Sequence, residues 1–142
     1  MSSWLIYALL SAVCAAMVAI FGKIGLQNLD ANTATAIRAV IMALFLVGVV
    51  VAQGKLALVG EIVANKKALL FIVLSGVAGA LSWLFYFVAL KNGNVAQVAP
   101  IDKLSVVFAV VLAVILLGEK ISLMAGAGVA LISVGALLVA LG

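Results

Sequence analysis

The sequence has the composition of a protein that is solvated by lipid. Of its 142 residues, 69% are hydrophobic and 8% are charged, and the mean hydropathy is +1.51. Soluble domains contain about 45–50% apolar and about 25% charged residues, so a separate soluble domain is excluded. The net charge of +4, the absence of histidine and the single cysteine also exclude a nucleic-acid surface, a metal site built from histidine or cysteine, and a disulfide framework within one chain.

Five apolar segments follow one another along the chain, and each is long enough to cross a bilayer as a helix of about 20 residues. Lipid admits only helices or closed barrels, and the strict alternation of barrel strands is absent. We therefore predict an all-α, polytopic membrane protein with one five-helix domain over residues 1–142. The predicted spans, numbered first to fifth, are 4–26, 33–52, 68–90, 95–117 and 121–141.

The connections between the spans are too short to hold another domain. The longest is 53–67, and the connection 91–94 contains an Asn-Gly-Asn turn. The first segment has no basic stretch of the kind that precedes the apolar part of a signal peptide, so we expect it to be retained as a span.

The basic residues give no clear orientation. An odd number of spans puts the termini on opposite sides, and each side then receives four basic residues. They are Lys55, Lys66, Lys67 and Lys120 on the N-terminal side, and Lys23, Arg38, Lys91 and Lys103 on the other. Because cytoplasmic loops normally carry the excess, this balance predicts a chain that inserts both ways and pairs antiparallel with itself. Leaving out the three basic residues within spans gives four against one, which would make the N-terminal side cytoplasmic.

Four charged residues are predicted inside the membrane, at a depth of about 8–13 Å when counted at about 1.5 Å per residue. They are Lys23, Arg38, Asp102 and Lys103. Such residues usually face a cavity or a partner. The alternatives are that the long cations snorkel to the headgroups and that Asp102 forms an ion pair with Arg38 or Lys23. Neighbouring helix positions point about 100° apart, so Asp102 and Lys103 are not expected to face each other.

Aromatic and small residues predict the remaining helix faces. Trp83 is interpreted as a cavity wall or as ordinary packing, and Tyr86 as a substrate contact or an interface aromatic. Pro100 is expected to kink the fourth span, although a freed carbonyl there would also suit a ligand. The fifth span carries no charge and is predicted to be a packing or dimer helix through small residues. These are Ser122, Gly126, Gly128, Ala130 and Gly135.

The order of these motifs resembles one EamA repeat of the drug/metabolite transporter superfamily. The resemblance rests on five spans, Arg38, the stretch Ala-Pro-Ile-Asp-Lys-Leu-Ser at 99–105 and Leu-Leu-Gly-Glu-Lys at 116–120, and it covers nearly the whole chain. It implies that the first four helices line a cavity, that the fifth is peripheral, and that Glu119 has a capping or loop role. Typical members fuse two inverted repeats. The resemblance therefore implies a short bacterial or archaeal form that needs an antiparallel homodimer or a homologous five-helix partner.

The resemblance and the charges together predict a secondary transporter in the prokaryotic cell membrane, which moves a small metabolite by alternating access. The substrate is expected to be anionic or zwitterionic, and no cofactor, metal or nucleic-acid partner is expected. The residues assigned to the substrate are Arg38, Asp102, Lys103, Lys23, Trp83 and Tyr86, and Asp102 is also assigned to proton or ion coupling.

Two other functions stay open on the sequence, and two are disfavoured. A dual-topology ion channel would also use short antiparallel chains and buried cations, and an accessory subunit would act only beside a homologous half. The related small multidrug resistance proteins use a glutamate in their first helix, which this chain lacks, so drug-cation exchange is not predicted. An enzyme is not predicted because no pairing of a nucleophile with a base can be assembled around Cys14 or the scattered serines.

Overall fold

The computed structural model describes residues 3–142, and over this range it is helical with no strand. Its helices are α1 (Ser3–Gly25), α2 (Ala31–Ala52), α3 (Ala57–Ala64), α4 (Lys66–Asn92), α5 (Val95–Asp102), α6 (Leu104–Leu117) and α7 (Leu123–Leu141). Five stretches are long and apolar enough to cross a membrane: α1, α2, α4, α5 with α6, and α7. The predicted all-α fold with five spans is thereby confirmed.

The chain divides into two compact units. The first unit combines α1 up to Lys23 with Asn92–Gly142, and the second unit is Ile24–Lys91. The second unit therefore contains α2, α3 and nearly all of α4, while the first contains most of α1 together with α5, α6 and α7.

Most large apolar side chains of the described residues are exposed. Leu123 is 94% exposed and Leu116 is 72% exposed, for example. The buried residues are Ala19, Leu26, Ala31, Thr35, Phe87, Leu90 and Ala136. Lipid tails are as apolar as leucine, so such side chains are stable in a bilayer without a protein core around them.

In the first unit, α7 packs along α5 and α6. Five of its six more buried positions, all except Gly128, recur every three or four residues, which places these five on one face of the helix. They are Gly126, Val129, Ser133, Ala136 and Ala140. The Ser133 hydroxyl donates to the Val129 carbonyl at 2.9 Å, so its polar atom is satisfied within the helix. Small side chains on this face allow the helices to approach closely.

The fourth span is interrupted at Lys103, between α5 and α6. The Lys103 N–H donates to the Pro100 carbonyl at 3.1 Å, and the Val106 N–H donates to the Lys103 carbonyl at 3.0 Å. Both bonds reach back three residues, as in a 3₁₀ turn, which is tighter than an α-helical turn. A kink was expected at Pro100. The structure has a tight turn at Lys103, three residues after Pro100 and next to Asp102.

In the second unit, the connection 53–67 contains the short helix α3, which was not predicted. Gly54 ends the turn after α2 with φ of +67°, a conformation that suits glycine. Asn65 then accepts a bond from the Ala68 N–H at 3.1 Å and caps the start of α4. A run of apolar residues as short as α3 fits a helix or a loop equally well, so hydropathy did not separate the two.

Asp30 caps the N-terminus of α2. Its carboxylate accepts bonds from the backbone N–H and the hydroxyl of Thr33, both at 2.8 Å. These bonds, with a smaller contribution from the positive charge of Lys91, hold the pKa of Asp30 below its usual value of 3.8. The ionised carboxylate is therefore the form that caps the helix.

We expect this cap to stabilise the protein at neutral pH and to lose its effect in acid. Because the folded pKa lies below the unfolded value of 3.8, the stabilisation is complete above that pH and disappears as the pH falls through the folded pKa. Thermal unfolding of Asp30→Ala should therefore occur at a lower Tm at pH 7, and the difference from the unmodified protein should shrink in strong acid. Asp30→Asn is the control, because it can cap but cannot titrate. A Tm difference for Asp30→Ala that does not change with pH would contradict this prediction.

Candidate functional site

A groove with a volume of about 620 Å³ lies between α2 and α4 in the second unit. Small-molecule sites typically have volumes of about 300–1,000 Å³. The α2 wall is formed by Asn32, Thr35, Ala36, Arg38, Ala39, Met42, Ala43 and Leu46, and the α4 wall by Gly76, Gly79, Ala80, Trp83 and Leu84. The polar members of the α2 wall all come from the first turns of that helix, so the groove has one polar end and a long apolar part.

The groove is open because small residues recur on the helix faces that line it. The α2 wall carries three alanines at intervals of three and four residues, and the α4 wall carries two glycines and an alanine at similar spacing. A Cβ atom added at Gly76 or Gly79 would meet no other atom within 4 Å. These positions therefore border free space rather than a closely packed neighbour.

Arg38 is held at the polar end by aromatic rings of α4. Its guanidinium carbon lies 3.8 Å from the ring centroid of Trp83 and 4.6 Å from that of Phe87. These two rings stack on each other at 5.6 Å, and the Tyr86 ring lies edge-on to both. Each such cation–π contact stabilises by about 0.5–2 kcal/mol. The guanidinium is thus positioned by contacts to aromatic rings of α4.

The Arg38 Nε–H is buried and has no hydrogen-bond partner among the described residues. A buried donor without an acceptor costs about 1–3 kcal/mol, and folded proteins rarely leave one unpaired. No residue of the groove lining is acidic. The Trp83 and Phe87 rings cover one side of the guanidinium, so an acceptor would reach its N–H groups from a direction that the rings leave open.

Three of the predicted substrate residues belong to the first unit. The Lys23 ammonium donates to the Gly93 carbonyl at 2.8 Å and ties the end of α1 to the turn before α5. Asp102 and Lys103 form an ion pair with 3.2 Å between Oδ2 and Nζ, and their side chains are 33% and 55% exposed.

The prediction that Asp102 and Lys103 do not face each other was wrong. It assumed an uninterrupted helix, in which adjacent side chains diverge. The helix is instead interrupted at Lys103, and the long lysine side chain folds back onto the neighbouring carboxylate.

The small residues predicted for packing or dimer contacts are spread over more than one face of α7. Gly126 and Gly128 are half-buried, whereas Ala130 and Gly135 are exposed. Ser122 caps the helix, because its Oγ accepts a bond from the Ala125 N–H at 3.1 Å.

The structure therefore brings together Arg38, Trp83 and Tyr86 among the predicted substrate residues, and it adds Phe87 and the small-residue walls. Phe87 lies one helical turn after Trp83, so its position on the same face was available from the sequence. The alanine spacing in α2 was available as well, but only the opposing α4 wall identifies it as the side of a groove.

The comparisons with known proteins agree with the residues that suggested a family. Residues 2–141 match the model of the EamA-like transporter family. A relative from Sinorhizobium sp., described as an uncharacterized transporter in the cobO 3′ region, is 46% identical over 138 residues, which are 97% of this chain and 96% of the relative. The two chains therefore have nearly the same length. No solved structure matches the chain. The chain belongs to the EamA-like transporter family of the drug/metabolite transporter superfamily, and it is a multi-pass membrane protein of that transporter family.

Proposed function

We propose that this protein is a secondary transporter in the cell membrane, which carries a small anionic or zwitterionic metabolite by alternating access and binds it in the α2–α4 groove. The observation that carries the proposal is the guanidinium of Arg38, stacked on Trp83 at the polar end of an otherwise apolar groove. A fixed cation in a low-dielectric site attracts an anion far more strongly than the same cation in water. Charged residues within spans are also expected to mark substrate pathways.

The groove could change its width by a hinge at its polar end. Two contacts fasten α2 and its preceding turn to α4 there: the stacking of Arg38 on Trp83, and the bond from the Lys91 ammonium to the Leu29 carbonyl at 2.7 Å. The walls farther along α2 and α4 are lined by small and flexible apolar side chains such as Met42. Rocking of one helix about the fastened end would open and close this part, as alternating access requires.

We infer that the working transporter contains two five-helix chains, either as an antiparallel homodimer or with a homologous partner. Two observations support this proposal. The basic residues are balanced between the two sides, and the Sinorhizobium relative has nearly the same single-repeat length as this chain. An inverted pair of five-helix repeats supplies the two-fold symmetry on which alternating access commonly depends.

Labelling of single cysteines tests the antiparallel arrangement. On a Cys14→Ser background, Gln53→Cys and Gly142→Cys place a thiol on opposite sides without changing the charge balance. Intact cells would be treated with an impermeant maleimide. Dual insertion predicts that about half of the molecules are labelled at each position, because half of the chains expose either side. Complete labelling at one position and none at the other would contradict the antiparallel homodimer and favour a homologous partner.

Uptake into liposomes tests the transporter function itself. Purified protein should carry at least one member of a panel containing a monocarboxylate, an amino acid and a phosphate ester, with saturable kinetics. A carrier turns over no faster than its conformational steps, and a step of about one millisecond allows about 10³ molecules per second. Single-channel currents would instead identify an ion channel. Uptake that requires a second, homologous chain would identify an accessory subunit.

Asp102 is proposed to carry the coupling proton, because it is an acidic group within the fourth span that lies beside the helix interruption. Asp102→Asn should therefore abolish the stimulation of uptake by a pH gradient, while exchange of substrate between equal concentrations continues. Glu119→Gln is the matched control, since it also removes one acid but lies in the turn before α7. Unchanged stimulation by the gradient in Asp102→Asn would exclude Asp102 as the proton carrier.

A further inference from the structure

The groove lining carries a single charge, and this determines which ligand charge would neutralise the site. Arg38 is the one charged residue among those that line it. The Thr35 hydroxyl already donates to the Ala31 carbonyl at 2.7 Å, so its proton is not available to a ligand. One negative charge on the ligand would balance the site. Uncompensated charge is costly in a low-dielectric environment, so a second charge of either sign would weaken binding.

The stacking of Arg38 determines the direction from which an anion can approach. The guanidinium carbon lies over the rings of Trp83 and Phe87, at 3.8 and 4.6 Å from their centroids, so the rings cover one side of the group. The accessible donors are those along the edge, and a planar carboxylate matches this edge with two parallel hydrogen bonds. The unpaired Nε–H belongs to the same set of donors.

The rest of the groove fits an apolar body. Beyond the polar end, its walls consist of alanine, glycine, methionine and leucine side chains. The backbone groups of these residues belong to the helices α2 and α4, whose own hydrogen bonds occupy them. A ligand with hydroxyl groups along its body would lose hydrogen bonds to water and gain none here. An amino acid would place its ammonium group among lining residues that include no acid.

We propose that the groove selects a small monocarboxylate with an apolar body over amino acids, dicarboxylates and phosphate esters. This rests on the proposed function, because it takes the α2–α4 groove as the substrate site. Arg38 binds the carboxylate through its edge, Trp83 and Phe87 hold the guanidinium in place, and the small-residue walls accommodate the apolar chain.

The fluorescence of Trp83 provides a direct readout of binding at this site. The chain has two tryptophans, so Trp4→Phe leaves Trp83 as the single reporter, in contact with Arg38. Purified protein in lipid nanodiscs would be titrated with a series of matched chain length: hexanoate, hexanamide, norleucine, adipate and hexyl phosphate. Hexanoate should give a saturable change with a Kd at least about tenfold lower than that of any other member. Equal or tighter binding of norleucine, adipate or hexyl phosphate would overturn the proposal.

Variants at the cation separate specific binding from partitioning into lipid. Arg38→Gln should remove the preference for hexanoate over hexanamide. Arg38→Lys keeps the charge but loses the two-bond edge, so the Kd for hexanoate should rise by about tenfold. The control Lys120→Gln removes an exposed cation outside the groove and should leave the Kd unchanged. Hexanoate binding that is unaffected by Arg38→Gln would overturn the proposal.

Uptake assays distinguish failure of this inference from failure of the transporter function. Uptake of labelled hexanoate into liposomes would be measured at alkaline pH, and uptake by protein-free liposomes would be subtracted because some hexanoate crosses the bilayer as the neutral acid. Arg38-dependent uptake of norleucine or hexyl phosphate but not of hexanoate would overturn the substrate class and leave the transporter function in place. Selective binding of hexanoate without uptake of any solute would support the ligand class and overturn transport.

Discussion

Uptake of an anionic substrate is expected to fall by at least about 100-fold when Arg38 is replaced by glutamine. Removing one partner from a buried, hydrogen-bonded charge pair typically costs about 2–5 kcal/mol, and about 1.4 kcal/mol corresponds to a factor of ten. Glutamine keeps hydrogen-bonding capacity and much of the length but not the charge or the stacking on Trp83. Initial rates of uptake into liposomes would measure the effect.

Two controls belong to the Arg38 experiment. Arg38→Lys should retain part of the activity because it retains the charge, and Lys120→Gln should retain all of it because Lys120 lies outside the groove. The Tm of each variant would verify that it is folded. An uptake rate in Arg38→Gln equal to that of the unmodified protein would show that the α2–α4 groove is not the substrate path.

Filling the groove from its α4 wall should block transport without unfolding the protein. Gly79 lines the groove, and a Cβ atom there meets no other atom within 4 Å. A leucine side chain at this position would therefore occupy the space proposed for the substrate. We expect Gly79→Leu to lower uptake by at least about tenfold, because forcing extra atoms into a filled site costs about 1–3 kcal/mol.

Gly48 supplies the matched control for this substitution. It lies in α2, does not line the groove, and also has open space around an added Cβ. Gly48→Leu gains the same helix propensity, about 1 kcal/mol relative to glycine, so the two variants should have similar Tm values. Gly79→Ala adds a single methyl group and should remain close to full activity. Equal uptake by Gly79→Leu and Gly48→Leu would contradict a substrate position in this groove.

The five spans were predictable because they depend on local properties. A membrane helix needs a continuous apolar stretch of sufficient length, and both features are visible in a single segment of sequence. The short helix α3 was not predicted, because eight residues are too few to show a clear helical periodicity of apolar residues. The pairing of Asp102 with Lys103 was not predicted either, since it depends on the interruption of the helix at Lys103.

The candidate site was predictable only in part. The sequence indicates Arg38 as a candidate because it is a charge within a span, and Trp83 because it is an aromatic residue deep within another span. Neither observation indicates that the two side chains stack, because the contact joins different helices and depends on how α2 and α4 pack. Phe87 provides the second ring against Arg38. In the sequence, however, it cannot be distinguished from any other apolar residue of a span.

The sequence by itself determined the solvent, the fold class and the number of spans of this protein, because apolar segments of helix length have few alternatives in lipid. Its motifs also determined the family, which the match over residues 2–141 confirms. Only the tertiary structure decided the surroundings of Arg38, which lies on Trp83 and Phe87 beside the groove. The physical reason is that hydropathy is a property of each segment, whereas a groove and its cation are created by the spacing and rotation of two helices.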